Sequence, residues 1–191
     1  MNRCSWCGTD DPLYVTYHDT EWGVPVYESK ALYAKLILDG AQAGLSWITI
    51  LRKRENYYAA FDGLDPEKIV QYGDDKVAEL LQDSGIVRNR LKINSTIKNA
   101  HGYLQITEKH GSFSTFLWDF VDGQPIQNSW PTMADVPAET VLSQKVSKAL
   151  KQYGFSFVGP TIVYAFMQAV GMVNDHTLEC FRYEECAALA K

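Results

Sequence analysis

The stretch from Tyr153 to Cys180 constrains the fold of this chain most, because glycine and proline divide it at fixed points. Gly154 follows a periodic segment and predicts its end, since glycine enters the left-handed cap conformation at little cost. Pro160 is typical of a first helical turn, where its missing N–H would have no partner anyway. Residues 161–170 are apolar on almost every side, and Gly171 ends the run. The pattern predicts a helix, a short hairpin and a second, buried helix.

This hairpin has two interpretations. The backbone N–H groups around Gly159, at the start of the second helix, can bind a phosphate. An ordinary buried helix with good caps fits the same residues, and the local pattern alone favours that simpler interpretation.

Length, charge and termini limit the possible classes of protein. The 191 residues fit one domain, residues 1–191, with a sizeable core. The net charge of −5 argues against an obvious DNA-binding protein, although a local basic face can still bind a short site. The first residues carry no secretion signal and no apolar run could cross a membrane, so we expect a cytoplasmic protein. Four cysteines there indicate metal ligands or buried thiols rather than disulfides.

Cap and stop residues predict the remaining helices. Ser29 is predicted to cap a helix that runs to about Asp39, and Ser46 is predicted to cap the next helix. Asp65-Pro66 predicts the start of a helix that ends at Gly73, and Asp74 is predicted to cap a helix that ends near Gly85. A long periodic segment follows Val87 and stops near Gly111. Residues 113–121 are short and aromatic, and residues 122–139 are predicted to form a loop. No useful β-alternation occurs, so the fold class is all-α, with roughly eight helices.

Several motifs, in order along residues 4–180, closely resemble the 3-methyladenine DNA glycosylase I family of bacteria. These motifs are Asp11–Tyr14, Tyr17–Asp19, Glu21–Pro25, Gln42–Trp47, the basic residues Arg88, Arg90 and Lys92, Val158–Thr161, Phe166–Ala169 and Val173–His176. The resemblance implies a helix–hairpin–helix DNA glycosylase fold. It also implies excision of N3-methyladenine from double-stranded alkylated DNA, with hydrolysis of the bond between base and sugar and release of free 3-methyladenine.

Potential metal ligands lie at both ends of the chain: Cys4, Cys7, His18, His176, Cys180 and Cys186. The four-residue spacing of His176 and Cys180 predicts that both lie on one face of a helix. Thiolates and imidazoles suit tetrahedral zinc, but the spacing alone favours buried thiols and histidines without a metal. The resemblance implies one structural zinc per chain, bound by Cys4, His18, His176 and Cys180, which would join residues 1–25 to residues 172–185. Cys7 remains a rival for Cys4.

The resemblance also implies a pocket for a base that has been flipped out of the duplex. Tyr14, Tyr17, Trp22 and Trp47 match pocket positions of the family, and Trp6 is a neighbouring wall. Aromatic faces bind a flat, cationic base well, although large aromatic residues are also common in cores. Tyr17 and Asp39 are the candidate catalytic residues.

Asp39 stands where the family has a glutamate, and its side chain is shorter by roughly 1.5 Å. We expect Asp39 to be a partly buried carboxylate whose partner is the cationic base. On this view Asp39→Asn would abolish activity and leave the apo protein equally or slightly more stable.

Two further residue types bear on the chemistry. Asn174 occupies the position where most helix–hairpin–helix glycosylases have an aspartate, and the resembling family shares this difference. A methylated, positively charged adenine leaves as a neutral base, so tight binding of that base can supply much of the acceleration. Pro160 and Thr161 stand where a lysine nucleophile would follow Gly159, which predicts a monofunctional enzyme without strand cleavage.

Four residues are candidate DNA contacts: Gln42, Gly44, Leu45 and Gly159. Leu45 is either the wedge that fills the gap left by a flipped base or a core leucine. The basic residues Arg52, Lys53 and Arg54 are either phosphate contacts or a solvated face. We expect a monomer. The alternative function is a zinc-stabilised, non-catalytic module that binds damaged or methylated DNA.

Overall fold

A computed structural model describes residues 1–190 of the chain. Its α-helices are α1 (Pro12–Thr20), α2 (Ser29–Ala41), α3 (Trp47–Ala60), α4 (Pro66–Ile69), α5 (Asp74–Leu80), α6 (Arg90–His110), α7 (Phe113–Trp118), α8 (Val141–Gln152), α9 (Pro160–Ala169) and α10 (Arg182–Ala187). Short 3₁₀ helices cover Ser5–Cys7, Asp62–Leu64, Asp119–Val121 and Met133–Asp135. In this part of the chain, no helix combines the length and apolarity needed to cross a bilayer.

Helix α2 is the centre of the molecule. Its buried residues include Leu32, Tyr33, Leu36 and Leu38, each at most 2% exposed. The helix packs against α3, α6, α7 and α9, so apolar residues are needed on most of its faces. Asp39 lies in the last turn of this buried helix and is only 3% exposed. A carboxylate at this depth is expensive unless something pairs with it.

Helices α8 and α9 form the predicted pair, joined by residues 153–159. Gly154 has φ +81°, in the region that favours glycine, and Pro160 is the first residue of α9. Gly40 of α2 lies against this connection, since a Cβ atom there would be 3.2 Å from the backbone oxygen of Phe157. The close approach places the connection directly beside the C-terminal end of α2, where Asp39 lies.

The mostly helical fold includes one short β-pair that the sequence analysis did not predict. Strand β1 (Ile126–Gln127), within the predicted loop, pairs in parallel with β2 (Val173–Asn174), and Ile126 is opposite Val173. Two residues are too few to show an alternating pattern in the sequence. The pairing ties the loop to the segment that follows α9.

Two helices in the described residues were not predicted, α1 and α10. Helix α1 has a clear start, because Asp11 accepts hydrogen bonds from the backbone N–H groups of Leu13 and Tyr14, and Pro12 is its first residue. Many of the pocket aromatics lie on or beside this helix. The short helix α10 has no side-chain cap and lies in a segment with no clear pattern.

Two predicted caps lie one residue away from the observed ones. Glu28, not Ser29, caps α2 by accepting from Lys30 and Ala31, and the Ser29 hydroxyl instead accepts from Ser114 N–H. Gly73, not Asp74, precedes α5. Ser46 does occupy the cap position of α3, but its hydroxyl bonds to Thr49 rather than to the backbone.

The basic triplet on α3 is engaged within the chain. Arg52 forms an ion pair with Asp11, and Arg54 pairs with Glu21 at 2.6 Å. Lys53 donates to the backbone oxygens of residues 84 and 85. These contacts join α3 to α1 and to the turn before α6, while the Arg52 side chain stays 63% exposed.

Candidate active site and metal cluster

A cavity of about 240 Å³ lies between α1, α2, α3 and α9. Its volume far exceeds the roughly 10–15 Å³ that one water needs. It is lined by Trp6, Tyr14, Tyr17, Trp22, Lys35, Asp39, Gln42, Trp47, Met133, Ala165, Gln168 and Ala169. All six residues predicted to bind the base are therefore brought together, although they come from four separate segments of the chain.

The aromatic rings of the cavity contact one another at tilted to edge-to-face angles. Trp6 lies 5.0 Å from Tyr14 and 5.1 Å from Trp22, measured between ring centroids, with interplanar angles near 60°. Tyr17 lies 5.4 Å from Trp47. Mutual packing of this kind fixes the rings, so the walls of the cavity are in place before any ligand binds.

Asp39 has a partner that the sequence analysis did not foresee. One carboxylate oxygen, Oδ1, forms an ion pair with Lys35 Nζ one turn earlier in α2. The Lys35 ammonium also lies 3.9 Å from the centroid of the Trp47 ring. The expectation of an unpaired carboxylate at Asp39 was therefore wrong, because a cation of the chain already faces it.

Burial shifts the pKa values of both partners toward their neutral forms. Desolvation raises the pKa of Asp39, and the nearby Lys35 ammonium opposes the shift. Desolvation likewise lowers the pKa of Lys35, against the attraction of Asp39. Tyr17 is 4% exposed, and burial raises its pKa, so its hydroxyl stays protonated and able to donate.

Three polar atoms of the cavity residues are buried without a hydrogen-bond partner: Trp6 Nε1, Trp47 Nε1 and Asp39 Oδ2. Buried polar atoms in native proteins almost always have a partner. Two unpaired donors and one unpaired acceptor around one cavity indicate a ligand that carries both kinds of group.

The four metal ligands implied by the resemblance form one buried cluster. The ligand atoms of Cys4, His18, His176 and Cys180 all lie within 4.8 Å of one another. Cys180 Sγ is 3.5 Å from His18 Nε2 and 3.4 Å from His176 Nδ1. Two sulfur and two nitrogen donors without further room suit a closed, tetrahedral site. This group of residues can hold a metal ion.

Outer contacts orient both histidines toward the cluster. His18 Nδ1 donates to Asp19 at 2.8 Å, and Asp19 is held by Arg3. The Arg3 guanidinium lowers the pKa of Asp19 to about 2, so the carboxylate stays ionised. His176 Nε2 donates to the backbone oxygen of Trp22. Carboxylates and carbonyls in these positions are typical of metal-binding histidines.

Cys7 lies outside the cluster, and its thiol donates instead to the backbone oxygens of Cys4 and Gly8. The structure thus favours Cys4 over its rival. The prediction that His176 and Cys180 share a helical face was wrong, since both lie in irregular structure after β2. A tight turn brings them together, with Cys180 N–H donating to Thr177.

The glycine-rich loop after α2 forms the rim of the cavity. Gln42 lines the cavity, and Leu45 is 41% exposed, which rules out the core interpretation of that leucine. Gly44 has φ +77° and open space around its Cβ position. Lys92 of α6 fixes the start of the loop by donating to the backbone oxygens of Ala41 and Ala43.

Comparison with known proteins now assigns the family. The model of the family described as "Methyladenine glycosylase" matches residues 6–183. The chain belongs to the methyladenine glycosylase family. DNA-3-methyladenine glycosylase 1 of Escherichia coli (strain K12) is 50% identical to this glycosylase over 96% of the chain and 97% of the relative. A DNA-3-methyladenine glycosylase of Haemophilus influenzae is 46% identical, over 93% of the chain and 96% of the relative.

A solved structure agrees with the fold of this methyladenine glycosylase. It is 3-methyladenine DNA glycosylase I from Staphylococcus aureus, described as showing the structural basis of 3-methyladenine recognition. Its TM-score is 0.92 at 42% identity, and the match covers 95% of this chain and 96% of that one. The mostly helical architecture is therefore shared over nearly the whole chain.

Some cavity residues of this glycosylase were missed in the sequence: Lys35, Met133, Ala165, Gln168 and Ala169. Lys35 stands four residues before Asp39 in a predicted helix, and that spacing was a usable sign of contact. Gln168 Nε2 donates at 2.8 Å to Asp175, a fully buried carboxylate that also accepts from three other residues. Nothing local in the sequence indicates the position of Met133, which comes from the loop before α8.

Proposed function

We propose that this protein is a monofunctional DNA glycosylase that removes N3-methyladenine from alkylated DNA in base excision repair. The observation that carries the proposal is the preformed aromatic cavity with a buried carboxylate, Asp39, one oxygen of which has no partner. A base within a duplex cannot reach such a cavity, so the nucleotide must first be flipped out. The names of the relatives supply the substrate class.

The cavity binds the base by stacking and by hydrogen bonds to its edge. Tyr14, Trp22 and Trp47 offer ring faces and edges to a flat heterocycle. Asp39 Oδ2 accepts from an amino group, and the protonated Tyr17 hydroxyl donates to a ring nitrogen. Contacts that tighten as the cationic base becomes neutral accelerate the bond cleavage rather than mere binding.

The proposed chemistry needs no carboxylate beside the sugar. The Asn174 side chain donates to Gln127 Oε1 and to the backbone oxygen of Tyr183, so its amide is engaged between β1 and α10. The leaving group is activated instead by its own methyl group and positive charge. Water then takes the place of the base on the sugar.

Strand cleavage by a Schiff base is excluded from the proposal. Among the described residues 1–190, Lys35 is the one amine that lines the cavity, and its ammonium forms an ion pair with Asp39. An ammonium has no lone pair with which to attack the sugar. Thr161 stands near the start of α9, where the hairpin has no amine.

The hairpin and the glycine-rich loop are the proposed DNA contacts, in a helix–hairpin–helix arrangement. Gly159 has open space around its Cβ position and an ordinary φ of −60°, so the protein itself does not require glycine there. Close approach of a phosphate to the start of α9 would require it. Leu45, exposed on the rim, is placed to enter the gap left by the flipped base. A cleft between this loop and α9 continues from Asp39 to Thr161.

The proposed metal is one structural zinc per chain, held by Cys4, His18, His176 and Cys180. When bound, zinc would supply a rigid link between the two ends of the chain, and four protein ligands leave no position for an activated water. We further propose that the protein acts as a monomer in the cytoplasm, on alkylated duplex DNA.

Base release tests the function. DNA treated with a methylating agent is incubated with the protein, and the freed bases are separated and identified. The expected products are 3-methyladenine and an abasic site in an uncut strand, with no protein–DNA adduct after borohydride reduction. Binding to methylated DNA without any base release would instead support the non-catalytic module.

A further inference from the structure

Lys35 is a charged residue of the cavity to which the proposed function gives no contact with the base. Its side chain is 16% exposed and its ammonium lies between Asp39 Oδ1 and the face of the Trp47 ring. A carboxylate beside an indole face is the environment in which a cationic base would be expected to bind. In this chain that environment already contains a cation.

Other charges near Lys35 cancel one another. Glu21, at the end of α1, and Arg54, on α3, are the further charged groups that act on the Lys35 ammonium. They form an ion pair with each other at 2.6 Å. Tyr17, on α1, is the titratable group that faces Asp39, and its raised pKa keeps it neutral. The cavity therefore has no net charge with which to select a cation.

The pair does offer a pattern of hydrogen bonds. Asp39 Oδ2 is an acceptor without a partner, and Lys35 keeps N–H groups beyond the one that meets Asp39 Oδ1. An acceptor and a donor therefore lie side by side at the wall of the cavity. An adenine-type edge is complementary, because its amino group donates and the adjacent ring nitrogen accepts.

We propose that Lys35 is a specificity-determining residue, whose ammonium donates to a ring nitrogen of the bound base while Asp39 Oδ2 accepts from the neighbouring amino group. The inference rests on the proposed function and deepens it. An oxo group in place of the amino group would face the unpaired carboxylate oxygen with another acceptor. Purines with an oxo group, such as 3-methylhypoxanthine, should therefore be rejected through unpaired buried atoms rather than through charge.

Free-base binding tests the role without DNA. Binding is measured by quenching of tryptophan fluorescence and by calorimetry at a pH where 3-methyladenine is neutral. The ligands are 3-methyladenine, its 1-deaza and 7-deaza analogues and 3-methylhypoxanthine. Lys35→Met removes charge and donor, whereas Lys35→Gln removes the charge and keeps a donor. Lys30→Met is the matched control, because Lys30 lies on the same helix but pairs with Asp65 at the surface.

The unmodified protein should bind one of the two deaza analogues at least about tenfold more weakly than 3-methyladenine, since one accepting nitrogen is lost. Lys35→Met should lose that difference, Lys35→Gln should keep much of it, and Lys30→Met should keep all of it. A thermal melt of each variant identifies which are folded. If Lys35→Met is unfolded, the two analogues still test the inference on the unmodified protein, because equally tight binding of both analogues and 3-methyladenine overturns it.

The inference is overturned if the unmodified protein binds both deaza analogues as tightly as 3-methyladenine, or if Lys35→Met keeps the same penalty. A purely structural lysine would lower thermal stability and leave the ratio between ligands unchanged. Failure of this inference alone would leave base release from alkylated DNA intact. Failure of the proposed function would appear as no base release by the unmodified protein.

Discussion

His176 Nε2 donates a hydrogen bond to the backbone oxygen of Trp22 at 3.0 Å, and the two rings meet at 4.6 Å and 87°. His176 belongs to the Cys4–His18–His176–Cys180 cluster, which can hold a metal ion, and Trp22 lines the cavity that we propose binds the base. The cluster and the cavity therefore share a wall. Whatever fixes the His176 imidazole also fixes Trp22, so a metal far from the reacting atoms can still affect base binding.

Loss of the metal should weaken both the fold and the cavity. Cys180→Ser removes a ligand, and we expect loss of bound zinc and a fall in Tm of at least about 5 °C, because metal binding is linked to folding. Affinity for free 3-methyladenine should fall with it. Mass spectrometry of the zinc content, a thermal melt and a titration with free 3-methyladenine measure these three effects.

Cys7→Ser is the matched control for the metal prediction, since Cys7 is also buried but its thiol bonds only to backbone oxygens. It should keep the zinc. Freshly purified native protein without any metal would contradict the prediction.

Glycine at position 23 should be required by the cluster of metal-ligating residues as well as by the local backbone conformation. A Cβ atom there would lie 2.8 Å from His176 Nε2, and φ is +83°. Gly23→Ala should therefore displace the imidazole, lower zinc affinity and weaken base binding. Gly63→Ala carries a similar backbone penalty at φ +79° but meets open space. The second variant should lose only about 1–2 kcal/mol of stability and no zinc. Equal zinc retention in both variants would refute the argument.

The ends of several helices could be predicted from the sequence, because the chemistry of single residues determines them. Gly154, Pro160 and Gly171 mark the ends of α8 and α9 because each needs a particular backbone conformation or lacks an N–H. Helix α1 could have been predicted in the same way, since Asp11-Pro12 is the same kind of start as Asp65-Pro66.

Contacts between distant segments could be predicted only through the resemblance. His176 and Cys180 do meet, but in a turn rather than on a helix, so their spacing gave the correct neighbour for the wrong reason. The partner of Asp39 follows from helical spacing alone, yet its burial depends on packing by α3 and α9, which no local pattern indicates. The sequence analysis therefore predicted the aromatic walls of the cavity better than its charged residues.

Leu45 should matter for duplex DNA and not for the fold. Its exposed side chain has little packing to lose, so Leu45→Ala should change the free energy of unfolding by less than about 0.5 kcal/mol. Excision from duplex DNA should fall about tenfold or more, while affinity for free 3-methyladenine stays unchanged. Leu189→Ala is the control, as another exposed leucine away from the cavity. A stability loss of about 3 kcal/mol would show that Leu45 packs as a core residue.

Replacing only one partner of the buried Lys35–Asp39 pair should lower stability strongly, whereas replacing both should lower it little. Asp39→Asn leaves the ammonium without a counter-charge, so we expect a loss of about 3–5 kcal/mol, opposite to the neutral effect predicted for an unpaired carboxylate. Release of 3-methyladenine should also be lost. The double variant Lys35→Met with Asp39→Asn should recover most of the stability but none of the activity. Urea unfolding of the unmodified protein, the two single variants (Lys35→Met and Asp39→Asn) and the double variant measures the coupling energy between the two residues. Additive losses of stability would contradict the prediction.

The same pair should give stability a distinctive dependence on pH, with the double variant as reference. Burial raises the pKa of Asp39 in the folded protein above 3.8, so the folded protein binds more protons than the unfolded chain between the two pKa values. The stability of the unmodified protein relative to the double variant therefore falls as pH rises through this range. Burial lowers the pKa of Lys35 below 10.5, so the unfolded chain binds more protons between the two values. Relative stability should therefore rise again as pH approaches 10.5. Urea titrations from pH 4 to about pH 10.5 should show a minimum between these arms. A flat difference would show that neither pKa is shifted in the folded protein, and a maximum would show that the ion pair outweighs its desolvation.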